Sequence, residues 1–397
     1  MSFNSAKTMS TTNAGMSRRS FIAVAGAALA AAGALGTATD AFAAGAATKG
    51  AAGTGTLDKL VMVWLPNESS SEFDAGREEF GKRLSDIAGI PVELMTTTDY
   101  NIAIEAIASG KAQLANMGAE GFTQAQKKNA AVKPLVTQSD ANGTLDGAKY
   151  YSRICVPADQ LAEYQDGDGY SIQNIKGKRM SFVSASSTSG FKVPSTQIVN
   201  TFGLESTDDL TKPGFFSEVL FGNTHPGSAV NLLQGDADVA AFDDIDVDPY
   251  LDIPPVSGEQ NTAGAIYQVK ADAAEPFDRV RGAQFGIILP IPVLNGPIAV
   301  NTEVVPADMV KKLQDGLTSA DTYNDDLIFG PADNQGAAVW SKKSTKGFIV
   351  VEDAWYDPIR ALENAGANAD TTAGKASSAA DKKAAASSKA DSAKAGK

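Results

Sequence analysis

Short apolar segments alternate with amphipathic helical segments from Leu57 onward, and this alternation constrains the fold more than any other feature. The apolar segments are LVMVWLP, PVELMT and AQLANMG, and the helical segments between them are EFDAGREEFGKRLSDIAG and NIAIEAIASG. A second alternating set begins near Tyr151 and includes KRMSFVS, SEVLFG, GSAVNLLQG and ADVAAFD. Repeated alternation of this kind is typical of a sheet with crossover helices. The two sets predict an α/β protein with two lobes.

Two extended segments connect the two sets. One lies near Lys149 to Val156, and the other is the apolar, proline-containing run RVRGAQFGIILPIPVLNGPIAVN. Two such crossings act as hinges and permit rigid-body closure of the lobes over a cleft. We therefore expect a discontinuous lobe 1 over 57–150 and 291–364, and lobe 2 over 151–290.

The N-terminal segment has the features of an export signal. Two arginines, 18–19, precede an Ala-rich apolar run that ends at Ala-Phe-Ala, 41–43. This order is typical of a twin-arginine signal with an A-x-A cleavage site. It predicts a signal peptide over 1–43 that engages the Tat translocase, and a flexible linker over 44–56. A retained membrane anchor is the alternative, although the run is short for a span. No cysteine near the cleavage site offers a point for lipidation.

The C-terminal segment AGANADTTAGKASSAADKKAAASSKADSAKAGK has a different composition from the rest of the chain. It lacks large apolar residues and so has nothing to bury in a core. The composition predicts a disordered tail over 365–397. The chain between the two ends is long enough for two lobes of ordinary size.

Charge and cysteine content limit the partners. The formal net charge is −13, and such a field repels nucleic acid at long range. An anionic ligand would have to be held by local hydrogen-bond donors. The single cysteine, Cys155, cannot form an intramolecular disulfide, and we expect a buried thiol.

The stretch SFVSASSTSGFKVPS, 181–195, places small hydroxyl residues between a strand and a helix. Ser187, Thr188 and Ser189 would bring hydroxyls to a helix N-terminus, where free backbone N–H groups favour an anion. Gly190 would let the backbone approach a ligand closely, and Pro194 in the first turn costs no helical hydrogen bond. The pattern indicates an oxyanion clasp. The alternative is a polar loop whose serines only cap the helix.

Two segments of the chain match each other in spacing. YNIAIEAIASGKAQLA, 100–115, and HPGSAVNLLQGDADVA, 225–240, each begin with a polar ring, reach a glycine ten positions later, and then enter a strand. Tyr100 and His225 are therefore predicted to be counterparts at two helix N-termini, one in each lobe. The alternatives are a capping histidine and a ring at the edge of the core.

A serine hydrolase is one alternative function. Ser187 or Ser189, His225 and either Asp243 or Asp244 could form a triad. The nucleophile-elbow pattern G-x-S-x-G is missing from the serine-rich stretch, which disfavours this function.

A metal or nucleotide site is also disfavoured. In DDIDVDPYLD, 243–252, an EF-hand start fails because Pro249 and Pro255 occupy the positions of the required Gly and Glu. One histidine and one cysteine supply a zinc site poorly, and the nucleotide-binding glycine patterns are missing. We expect no metal and no cofactor.

We expect a solvated acidic loop that contains Asp246, Asp248 and Asp252. Asp243, by contrast, ends a buried strand and is expected to face the cleft.

The chain resembles the phosphate/phosphonate-binding (phosphite-binding) proteins of ABC importers over most of Leu57 to Ile359. The resemblance rests on TTDYNIAIEAIASGKAQLANMGAEGF, YSIQNIKGKRMSFVSASSTSGFKVPS, GNTHPGSAVNLLQGDADVAAFDD and ILPIPVLNGPIAV. It implies a two-lobed type II periplasmic-binding-protein (Venus-flytrap) fold with two hinge crossings. It also implies a non-enzymatic, monomeric receptor in the periplasm or on the exterior of the cell envelope, which delivers a small phosphorus oxyanion to an ABC permease in the inner membrane. The same fold with another organic anion or a vitamin is the alternative.

The resemblance also implies a set of pocket residues: Tyr100, Ser187, Thr188, Ser189, His225 and Asp243. The Asp243 carboxylate would accept a hydrogen bond from a P–OH group and reject an anion that has no proton, such as sulfate. His225 at a helix N-terminus is expected to be neutral until an anion binds.

One stretch departs from the family pattern. The family commonly has Gly-Pro followed by Tyr after the third strand of the first lobe, whereas this chain has MGAEGF. Phe122 therefore lacks the hydroxyl, and Glu120 adds a charge. A small ligand such as phosphite, methylphosphonate or phosphate becomes plausible. Trp64 either forms a wall of the pocket or packs inside lobe 1.

Overall fold

The computed structural model describes residues 57–66, 73–332 and 335–362. The predicted signal peptide, the linker and the C-terminal tail lie outside these residues. Within them, none of the helices combines the length and the apolar composition that a membrane span requires.

Two mixed six-stranded sheets organise the chain, with strands numbered in chain order. The first sheet has the order β16-β4-β13-β3-β1-β2, and the second has the order β11-β12-β5-β10-β8-β9. The strands of the first sheet are β1 (Leu60–Trp64), β2 (Val92–Thr96), β3 (Leu114–Asn116), β4 (Val132–Gln138), β13 (Pro297–Asn301) and β16 (Phe348–Ile349). The strands of the second sheet are β5 (Lys149–Pro157), β8 (Arg179–Phe182), β9 (Glu218–Phe221), β10 (Val239–Asp243), β11 (Ile266–Gln268) and β12 (Gln284–Leu294). Two short ribbons are formed by β6 (Gln165–Asp166) with β7 (Gly169–Tyr170), and by β14 (Phe329–Gly330) with β15 (Trp340–Ser341).

Nine α-helices connect the described strands. They are α1 (Asp74–Ala88), α2 (Tyr100–Ala108), α3 (Ala119–Lys128), α4 (Val193–Phe202), α5 (Asp208–Thr211), α6 (His225–Leu233), α7 (Ala307–Leu317), α8 (Ala320–Tyr323) and α9 (Asp357–Ala361). Short 3₁₀ turns cover Ala158–Tyr164, Gln173–Ile175, Asp248–Tyr250, Phe277–Arg279 and Asp353–Tyr356, and a π turn covers Thr188–Lys192. The β–α alternation in each sheet produces parallel pairs, β1 with β2 and β3, and β8 with β9 and β10.

The two extended segments form one antiparallel ribbon in the second sheet. β5 and β12 pair from Lys149 opposite Leu294 to Pro157 opposite Phe285, with one irregularity between Ile287 and Leu289. Beyond this ribbon, β13 returns to the first sheet between β3 and β4. The chain therefore passes between the sheets twice, at neighbouring points.

Each sheet has apolar clusters on both of its faces. Along β1, Val63 joins the cluster that contains Tyr100 and Phe122, and Trp64 joins the cluster that contains Phe80. Successive side chains of a strand point to opposite faces, so adjacent residues serve different clusters.

The two matched segments adopt corresponding structures. α2 and α6 each have nine residues, and Gly110 and Gly235 follow them with φ of 76° and 79°. Asp99 caps α2 and Thr224 caps α6 through a side-chain oxygen that accepts a backbone N–H group. The predicted correspondence of Tyr100 with His225 is therefore present in the fold.

Candidate functional site

The hydroxyl residues lie at the start of a π turn that leads into α4. Ser187 Oγ accepts a hydrogen bond from the Gly190 N–H group at 3.0 Å and so fixes the first turn. Ser187, Thr188 and Ser189 are 2%, 3% and 1% exposed, so their hydroxyls face the interior of the protein. Packing also requires a glycine at position 190, because a Cβ atom there would lie 2.3 Å from Val183 Cγ2.

Ser189 is held by two residues of β5. The Tyr150 hydroxyl donates to Ser189 Oγ at 3.1 Å, and Ser152 Oγ donates to the Ser189 carbonyl oxygen at 2.7 Å. Ser189 Oγ in turn donates to Asp243 Oδ2 at 3.3 Å. Tyr150 and Ser152 were not among the predicted site residues. Their spacing of two residues places both on one face of the strand, which is the only sequence signal that could have found them.

His225 begins α6 and is 2% exposed. Its Nδ1 atom accepts a hydrogen bond from the Asp243 backbone N–H group at 3.0 Å, which leaves the proton of the neutral ring on Nε2. Nε2 lies 3.3 Å from Asp243 Oδ2 and 3.4 Å from Ser187 Oγ. Burial lowers the pKa of His225 to about 4. The ring is therefore a neutral N–H donor at physiological pH.

Asp243 is the last residue of β10 and is 1% exposed. Burial, followed by the charge of Asp244, raises the pKa of Asp243 to about 8. Its Oδ1 atom accepts the backbone N–H group of Asp246 at 3.0 Å. The Asp243 carboxyl also lies beside that of Asp246, and burial and then Asp243 raise the pKa of Asp246 well above its usual value. The site therefore has fewer negative charges than carboxyl groups.

The prediction of a solvated acidic loop after β10 is wrong for two of its three residues. Asp246 lies against Asp243, and Asp248 forms an ion pair with the fully buried Arg153, whose Nη2 atom lies 3.2 Å from Asp248 Oδ2. Arg153 Nε also donates to Asn261 at 2.7 Å. The loop turns inward because a buried guanidinium requires a carboxylate partner. Asp252 is half-buried and accepts from Gln268.

Tyr100 brings the first sheet into the site. It begins α2, is 3% exposed and is hydrogen-bonded to Ser187. Burial and then the charge of Asp246 raise the pKa of Tyr100 well above its usual value. The phenol therefore remains protonated and available as a donor.

Residues at the start of α3 also contact the π turn. The Glu120 backbone N–H group donates to Thr188 Oγ1 at 2.9 Å. Ser186 Oγ donates to Gln124 Oε1 at 2.9 Å, and Gln124 Nε2 donates to Glu120 Oε1 at 2.8 Å. Gly118 lies so close that a Cβ atom there would be 2.7 Å from Thr188 Oγ1. These contacts hold the helices of the first sheet against the hydroxyl turn of the second.

Two predicted pocket residues do not join this group. Trp64 packs between Phe80 and Trp340, with both ring-centroid distances at 6.1 Å, on the face of β1 opposite to the cluster of Tyr100. Phe122 is fully buried and packs on Tyr356 at 5.0 Å. Strand alternation directs the indole away from the site, and the helical position of Phe122 directs its ring into the core of the first sheet.

A cation site at this location conflicts with the histidine geometry. One ligand atom each of His225, Asp243 and Asp246 lie within 4.8 Å of one another. However, His225 Nδ1 is used as an acceptor, so the neutral ring holds its proton on Nε2, the nitrogen that faces the carboxylates. In this tautomer Nε2 has no lone pair to offer a cation.

Comparison with known proteins identifies relatives in sequence. The profile of a family described as ABC transporter, phosphonate, periplasmic substrate-binding protein matches residues 62–356. The phosphate-import protein PhnD of Mycolicibacterium smegmatis is 26% identical over 190 residues, which are 48% of this chain and 56% of that protein. The chain thus matches little more than half the length of this curated relative.

Solved structures share the fold. A binding protein component of an ABC phosphonate transporter from Pseudomonas aeruginosa superposes with a TM-score of 0.56 at 19% identity, covering 85% of this chain and 98% of that chain. PhnD1 from Prochlorococcus marinus, in complex with methylphosphonate, has a TM-score of 0.55 at 15% identity, covering 77% and 97%. The predicted type II periplasmic-binding-protein fold is confirmed by these similarities. Since the family profile matches well over half of the chain, the protein belongs to the periplasmic substrate-binding proteins of phosphonate ABC transporters.

Proposed function

We propose that the chain binds a small phosphorus oxyanion, such as phosphate, phosphite or a short alkylphosphonate, between its two sheets. The observation that carries this proposal is the convergence on Ser187 of polar side chains from both sheets, the Tyr100 hydroxyl from α2 and the His225 Nε2–H group from α6. Hydroxyls and neutral N–H groups suit a multiply oxygenated anion, and the two helix N-termini favour negative charge.

Closure follows from the same geometry. The part of the chain around the first sheet supplies Tyr100 and the start of α3, and the part around the second sheet supplies the π turn, α6 and β10. A ligand that bridges donors from both parts binds the closed arrangement better than an open one. We infer that the two predicted lobes separate to admit the ligand and that an ABC permease receives it from the closed form.

The His225 geometry argues against the hydrolase alternative. In a serine triad the acid accepts from Nδ1–H and the free Nε2 atom takes the serine proton. Here Nδ1 accepts from a backbone N–H group, and both Ser187 and the Asp243 carboxyl face the protonated Nε2. Ser187 Oγ also caps the turn at Gly190. We therefore propose a receptor without enzymatic activity, acting as a monomer.

Export is part of the proposal. The twin arginines at 18–19 and the Ala-Phe-Ala motif at 41–43 support passage through the Tat translocase and release of an unlipidated protein. The periplasmic character of the family agrees with this destination. Replacement of both arginines by lysine, followed by fractionation of cells, tests the route, and undiminished export of that variant contradicts it.

Isothermal titration calorimetry tests the ligand. Phosphate, phosphite, methylphosphonate and sulfate are titrated into protein freed of ligand by refolding. We expect at least one phosphorus oxyanion to bind and sulfate to bind far more weakly. The Tyr100→Phe variant removes the hydroxyl that is hydrogen-bonded to Ser187 and is expected to weaken binding about tenfold, since a buried polar group loses its partner. Failure of all three phosphorus compounds to bind contradicts the proposal.

A further inference from the structure

Asp246 has a buried oxygen atom that lacks a donor. The residue lies three positions beyond the end of β10, and its backbone N–H group donates to Asp243 Oδ1 at 3.0 Å. Its Oδ2 atom is buried and has no hydrogen-bond partner among the described residues. A buried polar atom without a partner is costly, and native proteins rarely leave one unmatched. The position of the Asp246 carboxyl beside Asp243 and His225 points to a donor supplied by a ligand.

Asp243, by contrast, already has its partners. Oδ1 accepts from the Asp246 N–H group, and Oδ2 lies 3.3 Å from both Ser189 Oγ and His225 Nε2. These contacts hold the Asp243 carboxyl in place, and both of its oxygen atoms already face donors of the protein. The expectation that Asp243 accepts the P–OH group is therefore better met by Asp246.

The groups around Asp246 come from several elements. Asp243 ends β10, His225 begins α6, Tyr100 begins α2, Tyr150 lies on β5 and Arg77 lies on α1. Burial, and then Asp243, raise the pKa of Asp246 well above its usual value, whereas His225 and Arg77 act in the opposite direction. Asp246 and Asp243 both raise the pKa of Tyr100. A second anion beside this carboxyl pair requires a proton.

We propose that Asp246 determines the ligand specificity of the site, because in the closed complex one proton is shared between Asp246 Oδ2 and an oxygen of the bound oxyanion. This inference rests on the proposed function. A hydrogen-phosphonate or hydrogen-phosphate monoanion brings the proton on its own P–OH group, which donates to the carboxylate. A fully deprotonated anion binds only if Asp246 takes a proton from water. No bond to phosphorus forms or breaks in either case.

Methylphosphonate and methanesulfonate separate these two cases, because they have nearly the same shape and only the phosphonate titrates in the neutral range. Calorimetry in two buffers with different ionisation enthalpies measures the number of protons taken up on binding. At about pH 9, where methylphosphonate is a dianion, we expect the wild type to take up about one proton. We also expect methanesulfonate to bind far more weakly, and to lose about tenfold in affinity for each further pH unit.

The Asp246→Asn variant supplies an amide that donates to an unprotonated oxygen. For this variant we expect proton uptake to fall towards zero, and the preference for methylphosphonate over methanesulfonate to shrink at least about tenfold. Asp236→Asn is the matched control, since Asp236 is an exposed aspartate in the loop before β10. The control is expected to retain the uptake and the preference of the wild type.

Two results overturn the inference. One is binding of methylphosphonate by the wild type without proton uptake at this pH, a measurement that does not depend on whether a variant folds. The other is an Asp246→Asn variant that folds, binds, and retains the uptake and the preference of the wild type. Failure of the wild type to bind any phosphorus oxyanion is a different outcome, because it removes the proposed function together with this inference.

Discussion

Tyr100 and His225 are the first residues of two corresponding nine-residue helices, and both face Ser187. Each ring stands where its helix has free N–H groups, so two positive helix ends approach one hydroxyl turn. This arrangement supplies donors for an anion without a net positive charge, in a chain whose formal charge is −13. Binding of an anion by these nearby donors therefore does not require a favourable electrostatic field from the whole protein.

Gly118→Ala is expected to weaken ligand binding without weakening the fold. The backbone at Gly118 has φ −66° and ψ 160°, which alanine adopts freely, but the new Cβ atom would lie 2.7 Å from Thr188 Oγ1. The clash exists only when α3 and the π turn meet, so the closed form alone is penalised. We expect about a tenfold loss of affinity in calorimetry. Gly169→Ala is the control, since its nearest neighbour is 3.8 Å away. Equal affinities of the two variants would contradict the closure contact.

Thr188→Val tests the hydrogen bond that crosses between the two sheets. Valine keeps the volume of threonine but leaves the Glu120 N–H group, now 2.9 Å from Thr188 Oγ1, without an acceptor. Thr188→Ser loses a methyl group and keeps the acceptor. We expect valine to weaken binding about tenfold and serine to have a much smaller effect, because a buried unsatisfied donor is costly. The prediction fails if the serine and valine variants bind equally well.

The stability of the ligand-free protein is expected to fall as pH rises from 6.5 to 8. The pKa of Asp243 is raised from 3.8 to about 8 by burial, so the folded state binds more protons than the unfolded state over this range. The free energy of unfolding therefore decreases with pH, by roughly 2 kcal/mol over this interval from Asp243. The pKa of His225 is lowered from 6.5 to about 4, so its opposing contribution appears only below pH 6.5.

Urea denaturation at several pH values measures this loss. Asp243→Asn removes the titrating group and is expected to flatten the decrease, and the exposed Asp236→Asn is expected to retain it. A variant at Asp243 with the same slope as the wild type would assign the titration to another group.

Breaking the Arg153–Asp248 pair is expected to destabilise the fold. Arg153 has no exposed surface, and Asp248→Asn leaves its charge with a weakened partner. We expect a loss of about 3 kcal/mol in the free energy of unfolding, against almost none for the exposed Asp278→Asn. The double replacement Arg153→Met with Asp248→Leu removes both charges and is expected to cost less than the sum of the single changes. Additive losses would show that the two charges do not interact.

The sequence predicted the features that depend on local spacing. The correspondence of α2 with α6 follows from ring, helix and glycine positions within sixteen residues, and Gly110 and Gly235 adopt the positive φ that favours glycine. The hydroxyl run from Ser187 to Ser189 lies between a strand and a helix as the local sequence predicted, and Ser187 also caps the turn at Gly190.

Features that depend on contacts between residues far apart in the sequence could not be predicted from local spacing. Asp248 turns inward because of Arg153, which is 95 residues away in sequence, and Asp246 follows it into the interior. Acidic loops are usually solvated, so composition alone gave the wrong environment. Similarly, the close packing of Gly190 against Val183 depends on the tertiary fold and could not be read from the local sequence.

The antiparallel pairing of β5 with β12 has a consequence for the transport cycle. Asn295 donates its backbone N–H group to the Ala148 carbonyl at 3.1 Å, and its side chain donates to the Gln138 carbonyl at 3.1 Å. The ribbon pairs all nine residues of β5 with β12, so we expect a change of lobe orientation to occur outside it, at the backbone beside Ala148 and Asn295. If the two predicted lobes open here, we expect a rotation about a single short axis, so that each closure restores the same arrangement of donors around the ligand.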